Sequence, residues 1–343
     1  MKTLKELCQL NGLSGDEEDV RNYIMKQISN ICETYTDKLG NIIAFKKGKN
    51  TPTKRILFVA HMDEVGFMIT SIDDDGLLHF GSVGVTENVI PGKIVNIKST
   101  KNPDEPQYIK GVTGIMPIHR TKAENLNKVP EIDKMYIDIG AKKKDEVEKI
   151  IELGDSVYFD SEFYTFGNFI KAKALDDRIG CYTLIKLINE ALEYDTWFAF
   201  CVQEETGCRG AQTVAFALQP DYTFILEGTT AADISGTEDS DKVCFLGKGP
   251  AISFADGGTV YNPEMIKIIT EIADKNNIKW QYKKYMSGGN EASMFQRTAS
   301  GSKVIAISTP VRYIHSRASV AAFEDIEGMF KLCKATTEGG LYQ

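Results

Sequence analysis

The middle third of the chain differs in pattern from both flanks, and this contrast constrains the fold more than any other feature. Residues 67–164 contain short β-like runs separated by turn residues, with one helical stretch near 144–153. This spacing predicts a small β-barrel or sandwich. Both flanks alternate helical and strand patterns, as α/β folds do. With 343 residues, about enough for two domains, we expect one domain inserted in another.

The flanks contain helices and buried strands in alternation. Before the middle region, one apolar helical face is formed by Val20, Tyr23, Ile24, Ile28 and Ile31. Strands are predicted at 41–45 and 55–60, and the second is a continuous apolar run of the kind found in buried sheets. After the middle region we expect strands at 197–202, 222–227 and 304–308, and helices over 181–192, from Asn262-Pro263, and over 323–333.

Composition excludes several classes of protein. The 48 acidic residues outnumber the 40 lysines and arginines, for a net charge of -8, which argues against a nucleic-acid partner. The apolar runs fall far short of the ~20 residues that cross a bilayer, and the N-terminus carries no pattern of a secretory signal. The seven cysteines include no CxxC pair, so we expect reduced thiols, a cytoplasmic location and no zinc ribbon.

Chemistry-bearing side chains follow the apolar strands. His61 and Asp63 lie at the C-terminal end of the strand predicted at 55–60. Residues two apart in a strand point the same way. His61 could bind a metal through one ring nitrogen while Asp63 contacts the other, an arrangement that is common around metals. A histidine at a strand end with a purely structural role is the alternative for this segment alone.

Acidic residues recur at similar places further along. Asp176 and Asp177 precede the helix at 181–192, where one could cap the helix while the other projects into a site. Glu204 and Glu205 follow the strand at 197–202, where adjacent carboxylates need a nearby positive charge.

Two more positions complete the set. Glu227 ends the strand at 222–227, and His315 follows the strand at 304–308. Histidines and carboxylates in this number suit two zinc-like ions that share one bridging carboxylate. A remaining glutamate would then be the general base on the water between them.

The same residues lie in segments that resemble, in order and over nearly the whole chain, one family. It is the tetrahedral dimetal aminopeptidases, which include glutamyl, deblocking and leucyl aminopeptidases and proteins once named cellulase or endoglucanase. The segments are NGLSGDEEDVRNYI, AHMDEVGFMI, KALDDRIGC, VQEETGCRGA, LEGTTAADISG, GKGPAI and VRYIHS.

The resemblance implies a role for each residue. His61 and Glu227 would bind the first metal, Glu205 and His315 the second, and Asp176 would bridge both, with a cis peptide bond to Asp177. Glu204 would be the general base, and Asp63 would be the catalytic residue behind His61. Zinc or cobalt are the expected ions.

The resemblance also implies an architecture and an assembly. The fold would be α/β, with a three-layer αβα zinc-peptidase catalytic domain at 1–67 plus 166–343. A small β-barrel-like dimerisation domain at 68–165 would be inserted in it, and dimers would assemble into a tetrahedral dodecamer. The substrates would be peptides with a free N-terminus.

One segment departs from the family pattern, and several functions stay open. Where the family has a GGTDAG-like stretch, this chain has SGGNEAS at 287–293, which bears on substrate preference. The alternatives are another dimetal amidohydrolase, such as a carboxypeptidase or a deacylase, and a non-catalytic assembly protein. A glycosidase would leave His61 and His315 without a role.

Overall fold

A computed structural model describes residues 1–102, 105–121, 123–125, 127–286 and 288–338. Ser287, the first residue of the stretch that departs from the family pattern, lies outside the described residues, as do the last five residues of the predicted catalytic domain. Among the described residues, no helix combines the length and the hydrophobicity that crossing a bilayer requires.

The chain divides into two compact units. Unit 1 consists of Met1–Asp63, Glu162–Ile314 and Ala318–Gln343, and unit 2 consists of Glu64–Ser161 and His315–Arg317. The catalytic and dimerisation roles of the predicted domains stay predictions.

Helices and strands alternate along unit 1. The α-helices of the described residues are α1 (Lys2–Gln9), α2 (Glu18–Ile28), α3 (Lys144–Val147), α4 (Leu175–Ile188), α5 (Arg209–Leu218), α6 (Pro263–Lys275), α7 (Ala292–Arg297) and α8 (Phe323–Glu338). Short 3-10 turns span Glu87–Val89, Ile118–Arg120, Ala123–Asn125 and Ile132–Lys134. These turns and α3 belong to unit 2.

The strands of unit 1 are β1 (Glu33–Thr36), β2 (Ile42–Lys46), β3 (Ile56–His61), β10 (Tyr164–Phe166), β11 (Phe169–Ala172), β12 (Thr196–Cys201), β13 (Tyr222–Thr230), β14 (Ala251–Ile252), β15 (Gln281–Tyr282), β16 (Lys303–Arg312) and β17 (Ser319–Ala322). The strands of unit 2 are β4 (Gly66–Ile72), β5 (Leu78–Val83), β6 (Ile94–Ser99), β7 (Gln107–Gly114), β8 (Tyr136–Asp138) and β9 (Ser156–Phe159).

Unit 1 is built on one mixed sheet with the strand order β1-β2-β12-β3-β13-β16-β17-β11-β10. The four central strands β12, β3, β13 and β16 run parallel. They are buried almost throughout, which explains their continuous apolar sequences. Helix α4 packs on β3 and β13, and α5 packs on β12. The predicted layered α/β fold is confirmed.

Unit 2 contains a closed antiparallel barrel with the strand order β4-β5-β8-β7-β6-β9. Phe67, Phe80 and Phe159 meet edge to face in its core, with ring centroids 4.8 and 5.3 Å apart. Buried positions alternate with more exposed ones along β6 and in the second half of β7, because one face of each strand points into the barrel. The predicted barrel is confirmed, which excludes the sandwich.

Most predicted helix and strand positions are confirmed, and two helices are shorter than predicted. Helix α2 ends at Ile28, so Ile31 lies beyond it and is 36% exposed. The helix predicted over 144–153 is a single turn, α3, and Gly154 follows with a positive φ of 93° before β9. Asn262 caps α6 as expected, since its side chain accepts a hydrogen bond from the Met265 amide at 3.0 Å.

Candidate metal centre

The carboxyl ends of three neighbouring parallel strands bring the predicted residues of unit 1 together. His61 is the last residue of β3 and is paired with Cys201, the last residue of β12. On the other side of β3, Val59 is paired with Ile225 of β13, which places His61 and Glu227 at the same level of the sheet. Ligands of open α/β sheets bind at this edge.

His61 lies at the centre of this cluster and is buried. Its Nε2 lies 3.6 Å from Asp176 Oδ1 and 3.6 Å from Glu227 Oε2. Two ligands of one tetrahedral zinc, each about 2.0–2.2 Å from the ion, lie roughly 3.4 Å apart. The spacing of these three atoms therefore suits a shared cation and is too long for direct hydrogen bonds.

The second nitrogen of the His61 ring faces Asp63. Nδ1 lies 3.3 Å from Asp63 Oδ1, which is ion-pair distance, although the angle falls short of hydrogen-bond geometry. Burial lowers the pKa of His61, but Asp176 and Asp63 outweigh it and hold this pKa well above its usual value. This contact leaves Nε2 directed towards the other carboxylates.

Two groups of donor atoms among the described residues could each hold a metal ion. One group is His61, Asp177 and Glu227, and the other is His61, Asp176 and Glu205, with all atoms of a group within 4.8 Å of one another. Burial raises the pKa of Glu227 well above its usual value, and the carboxylates of Asp177 and Glu204 raise it further. Glu227 Oε1 is also buried without a hydrogen-bond partner. The donor set therefore fits divalent cations.

The sequence left open which of Asp176 and Asp177 caps the helix and which projects into the site, and the structure assigns one role to each. The peptide bond between them is cis, as the resemblance implied. The carboxylate of Asp177 accepts hydrogen bonds from the amides of Gly180 at 2.9 Å and His61 at 3.3 Å, and the first of these contacts caps the regular part of α4. Asp176 projects instead towards His61, and its Oδ1 accepts a hydrogen bond from the Gly228 amide at 3.0 Å.

Glu204 and Glu205 lie in the turn between β12 and α5. Their amides donate to the two oxygens of Asp63 at 2.9 and 3.0 Å. Burial raises the pKa of the half-buried Glu204, and the nearby carboxylates add to that shift. The Cys208 thiol donates to Glu204 Oε1 at 3.3 Å.

His315 lies in the turn after β16 and has a positive φ of 56°. It is grouped with unit 2, and neither donor group among the described residues includes it. Its assignment as a ligand of the second ion stays a prediction.

The structure adds two buried glutamates that the sequence analysis did not single out as site residues. Glu17 is 3% exposed and accepts a hydrogen bond from the Gln203 amide at 3.0 Å. Glu291 is fully buried beside Cys201, and burial together with Glu204 raises its pKa to about 8 despite the opposing effect of His61. The sequence signal for Glu291 was present, because it belongs to the stretch that departs from the family pattern.

Comparisons with known proteins match most of the chain. A family model described as M42 glutamyl aminopeptidase matches residues 40–332. A putative aminopeptidase of Acetivibrio thermocellus is 38% identical over 333 residues, which cover 96% of each chain.

Two solved structures are similar over almost their whole length. An aminopeptidase from the archaeon Desulfurococcus kamchatkensis superposes with a TM-score of 0.93 at 33% identity, covering 99% of this chain and 94% of that one. The TET1 peptidase of Pyrococcus horikoshii, which can assemble into a tetrahedron or a large octahedral shell, superposes with a TM-score of 0.85 at 32% identity, covering 98% of each chain.

Proposed function

Because the chain belongs to the M42 glutamyl aminopeptidase family, we propose that it is a metal-dependent aminopeptidase that removes N-terminal residues from peptides. The observation that carries the proposal is the convergence of His61, Asp176, Glu205 and Glu227 at one edge of the sheet. Glu204 follows the same strand as Glu205 and supplies an additional carboxylate. This arrangement would supply the ligand set and the base that peptide hydrolysis by metal-activated water requires.

The proposed ligands would hold two divalent ions, zinc or cobalt. His61 and Glu227 would bind the first ion, Glu205 and His315 the second, and Asp176 would bridge them. The choice of Asp176 over Asp177 is supported by the two backbone amides that already occupy the Asp177 carboxylate. When bound, the ions supply Lewis-acid polarisation of the scissile carbonyl and lower the pKa of water.

The residues of the chain supply proton transfer and orientation. Glu204 would take a proton from the attacking water and deliver it to the leaving amine. A base works best when its pKa lies near the working pH, and burial shifts the pKa of Glu204 upwards, in that direction. Asp63 would orient His61 through Nδ1 and hold the backbone of Glu204 and Glu205 through its two oxygens.

Replacing the base tests the central claim. We expect Glu204→Gln to lower kcat by about 10²–10⁴-fold while metal content and fold stay unchanged, since proton transfer by a positioned side chain contributes that much. Glu271→Gln, an exposed position on α6, is the matched control and should retain full activity. Near-normal peptidase rates in Glu204→Gln would show that the base is misassigned.

A substrate panel separates the proposed activity from related ones. Aminoacyl substrates with a free amine would be assayed beside N-acylated peptides and carboxypeptidase substrates, each with zinc, cobalt or manganese. Hydrolysis restricted to the free-amine substrates is the expected result. Preferential cleavage of acylated or C-terminal substrates would instead indicate a deacylase or a carboxypeptidase, and failure to bind any divalent ion would contradict every one of these enzymes.

The proposal includes an assembly and a location. Residues 1–67 plus 166–343 would be the catalytic domain, and the barrel region at 68–165 would form dimers that assemble into a tetrahedral dodecamer, as the similarity to the P. horikoshii peptidase suggests. Light scattering should give about twelve times the 38.1 kDa of one chain. A cytoplasmic location is supported by the seven cysteines, all of which are free thiols, and we expect neither nucleic acid nor membrane as a partner.

A further inference from the structure

The turn that carries Glu204 and Glu205 is held by buried carboxylates along its backbone. The Gln203 amide donates to Glu17 Oε1 at 3.0 Å, the Glu204 amide to Asp63 Oδ1 at 2.9 Å, and the Glu205 amide to Asp63 Oδ2 at 3.0 Å. Three successive amides are therefore tied to two side chains from elsewhere in the chain. Asp63 also faces the ring of His61.

Glu17 connects this turn to the segment before α2. It is the N-terminal cap residue of α2, and its Oε1 also accepts a hydrogen bond from the Gly15 amide at 2.7 Å. In the same segment, the Ser14 hydroxyl donates to Asp63 Oδ2 at 2.5 Å. Residues 14–17 thus contact both the carboxylate behind His61 and the first amide of the turn.

The conformation of Gln203 explains why an external contact is needed there. Gln203 has a φ of 57°, a left-handed conformation that is unfavourable for a residue with a Cβ. On its other side, the turn is closed by backbone hydrogen bonds from Gly207 and Cys208 to the Glu204 carbonyl, both at 2.8 Å. Because a rotation about Gln203 would displace Glu204 directly, the contact with Glu17 acts at the point where the position of the base is set.

We propose that Glu17 is a positioning residue for the general base and for the ligand that follows it. By fixing the Gln203 peptide, it would orient Glu204 towards the attacking water and Glu205 towards its ion. This inference rests on the proposed function for the roles of Glu204 and Glu205.

The test compares substitutions of Glu17 that keep or remove the acceptor. The amides of Gly15 and Gln203 both donate to Glu17 Oε1. Glu17→Gln therefore retains an acceptor oxygen and should keep most of kcat. Glu17→Ala should lower kcat by about 10–100-fold, as the loss of a residue supporting metal ligands does, with KM changed less than about threefold. If the alanine variant does not fold, Glu17→Asp, which is one methylene shorter, serves in its place with the same expectation.

A second readout does not depend on turnover. Zinc titrated into the metal-free protein should bind the Glu17→Ala or Glu17→Asp variant about 10–100-fold more weakly than the wild type at the ion held by Glu205. The glutamine variant should bind zinc like the wild type. If the wild type has no peptidase activity with any metal, the proposed function fails, and this titration still tests whether Glu17 positions Glu205.

Asp325 provides a matched control for a purely structural role. It is also fully buried and accepts two backbone hydrogen bonds, from Gly247 and Gly249 at 2.7 Å each. Asp325→Ala should lower the melting temperature but leave kcat and zinc affinity unchanged. The proposal is overturned if Glu17→Ala or its substitute Glu17→Asp keeps wild-type kcat and zinc affinity, or if Asp325→Ala lowers both to the same extent.

Discussion

Single residues in this centre serve more than one partner. Asp63 accepts hydrogen bonds from two amides and from Ser14, and it also faces His61. Burial raises its pKa, but His61 and these donors outweigh burial, so the pKa of Asp63 lies below its usual value. One side chain therefore couples the orientation of the proposed metal ligand His61 to the position of the proposed base.

The substitution Asp63→Asn tests this coupling. An asparagine has one acceptor oxygen, so its amide group would face a backbone N–H, and a buried donor would lose its partner. We expect zinc affinity to fall about 10–100-fold, as it does when a partner behind a ligating histidine is removed. Isothermal titration of the metal-free protein measures this. Asp75→Asn, in an exposed turn of unit 2, should bind zinc like the wild type, and an equal loss in both variants would contradict the role of Asp63.

Helix α4 illustrates how one element serves both the fold and the site. Its regular part begins after Asp177, since Asp176 and Asp177 have non-helical backbone angles. Twelve of its residues are buried, more than the single apolar face at 181–192 indicated in the sequence. The unusual start separates a capping carboxylate from one that projects into the site.

Gly180 tests whether the start of α4 must hold Asp177 closely. A Cβ at Gly180 would lie 2.3 Å from Asp177 Oδ2 and 2.6 Å from Oδ1, so Gly180→Ala must displace this carboxylate. Although alanine normally stabilises a helix relative to glycine, we expect a loss of about 1–3 kcal/mol in the free energy of unfolding, because of overpacking. Urea denaturation of the metal-free protein measures it.

Gly81 is the control for that substitution. A Cβ there would meet Thr70 Cγ2 at 3.7 Å, an ordinary contact, so Gly81→Ala should be tolerated. A Gly180→Ala variant as stable as wild type would show that Asp177 can move without cost.

At the scale of the whole molecule, part of the acidic surplus behind the net charge of -8 is concentrated at the candidate metal centre. Burial raises the pKa of Glu227, and the nearby carboxylates of Asp177, Glu204 and Asp176 raise it further. Two divalent cations would supply about four positive charges at this point. A metal-loaded chain should therefore be less negative than its composition indicates.

Metal binding should accordingly stabilise the folded chain. At a free zinc concentration of 100 times Kd, a site that exists only in the folded state adds about 2.7 kcal/mol to the free energy of unfolding. Calorimetry should show a higher melting temperature with zinc than with a chelator. A melting temperature that is indifferent to zinc, cobalt and manganese would contradict the metal centre.

Much of the fold and several site positions follow from local pattern. Continuous apolar strands indicated the parallel sheet, and parallel strands meet at one edge with their carboxyl ends, so His61, Glu204 and Glu227 could be grouped from the sequence alone. Short β-like runs separated by turn residues indicated a barrel or a sandwich for a similar reason, because runs and turns depend on neighbouring residues alone.

Other features depend on residues far apart in the chain, and the tertiary structure decided them. The local sequence did not decide which of Asp176 and Asp177 caps α4 and which projects into the site. The contacts of Asp177 with Gly180 and His61 identify Asp177 as the capping residue. Glu17 lies in the segment NGLSGDEEDVRNYI, and its proposed role rests on a hydrogen bond from the amide of Gln203, 186 residues later. Patterns report the burial of neighbouring positions, whereas a partner across the fold is set by how the elements pack.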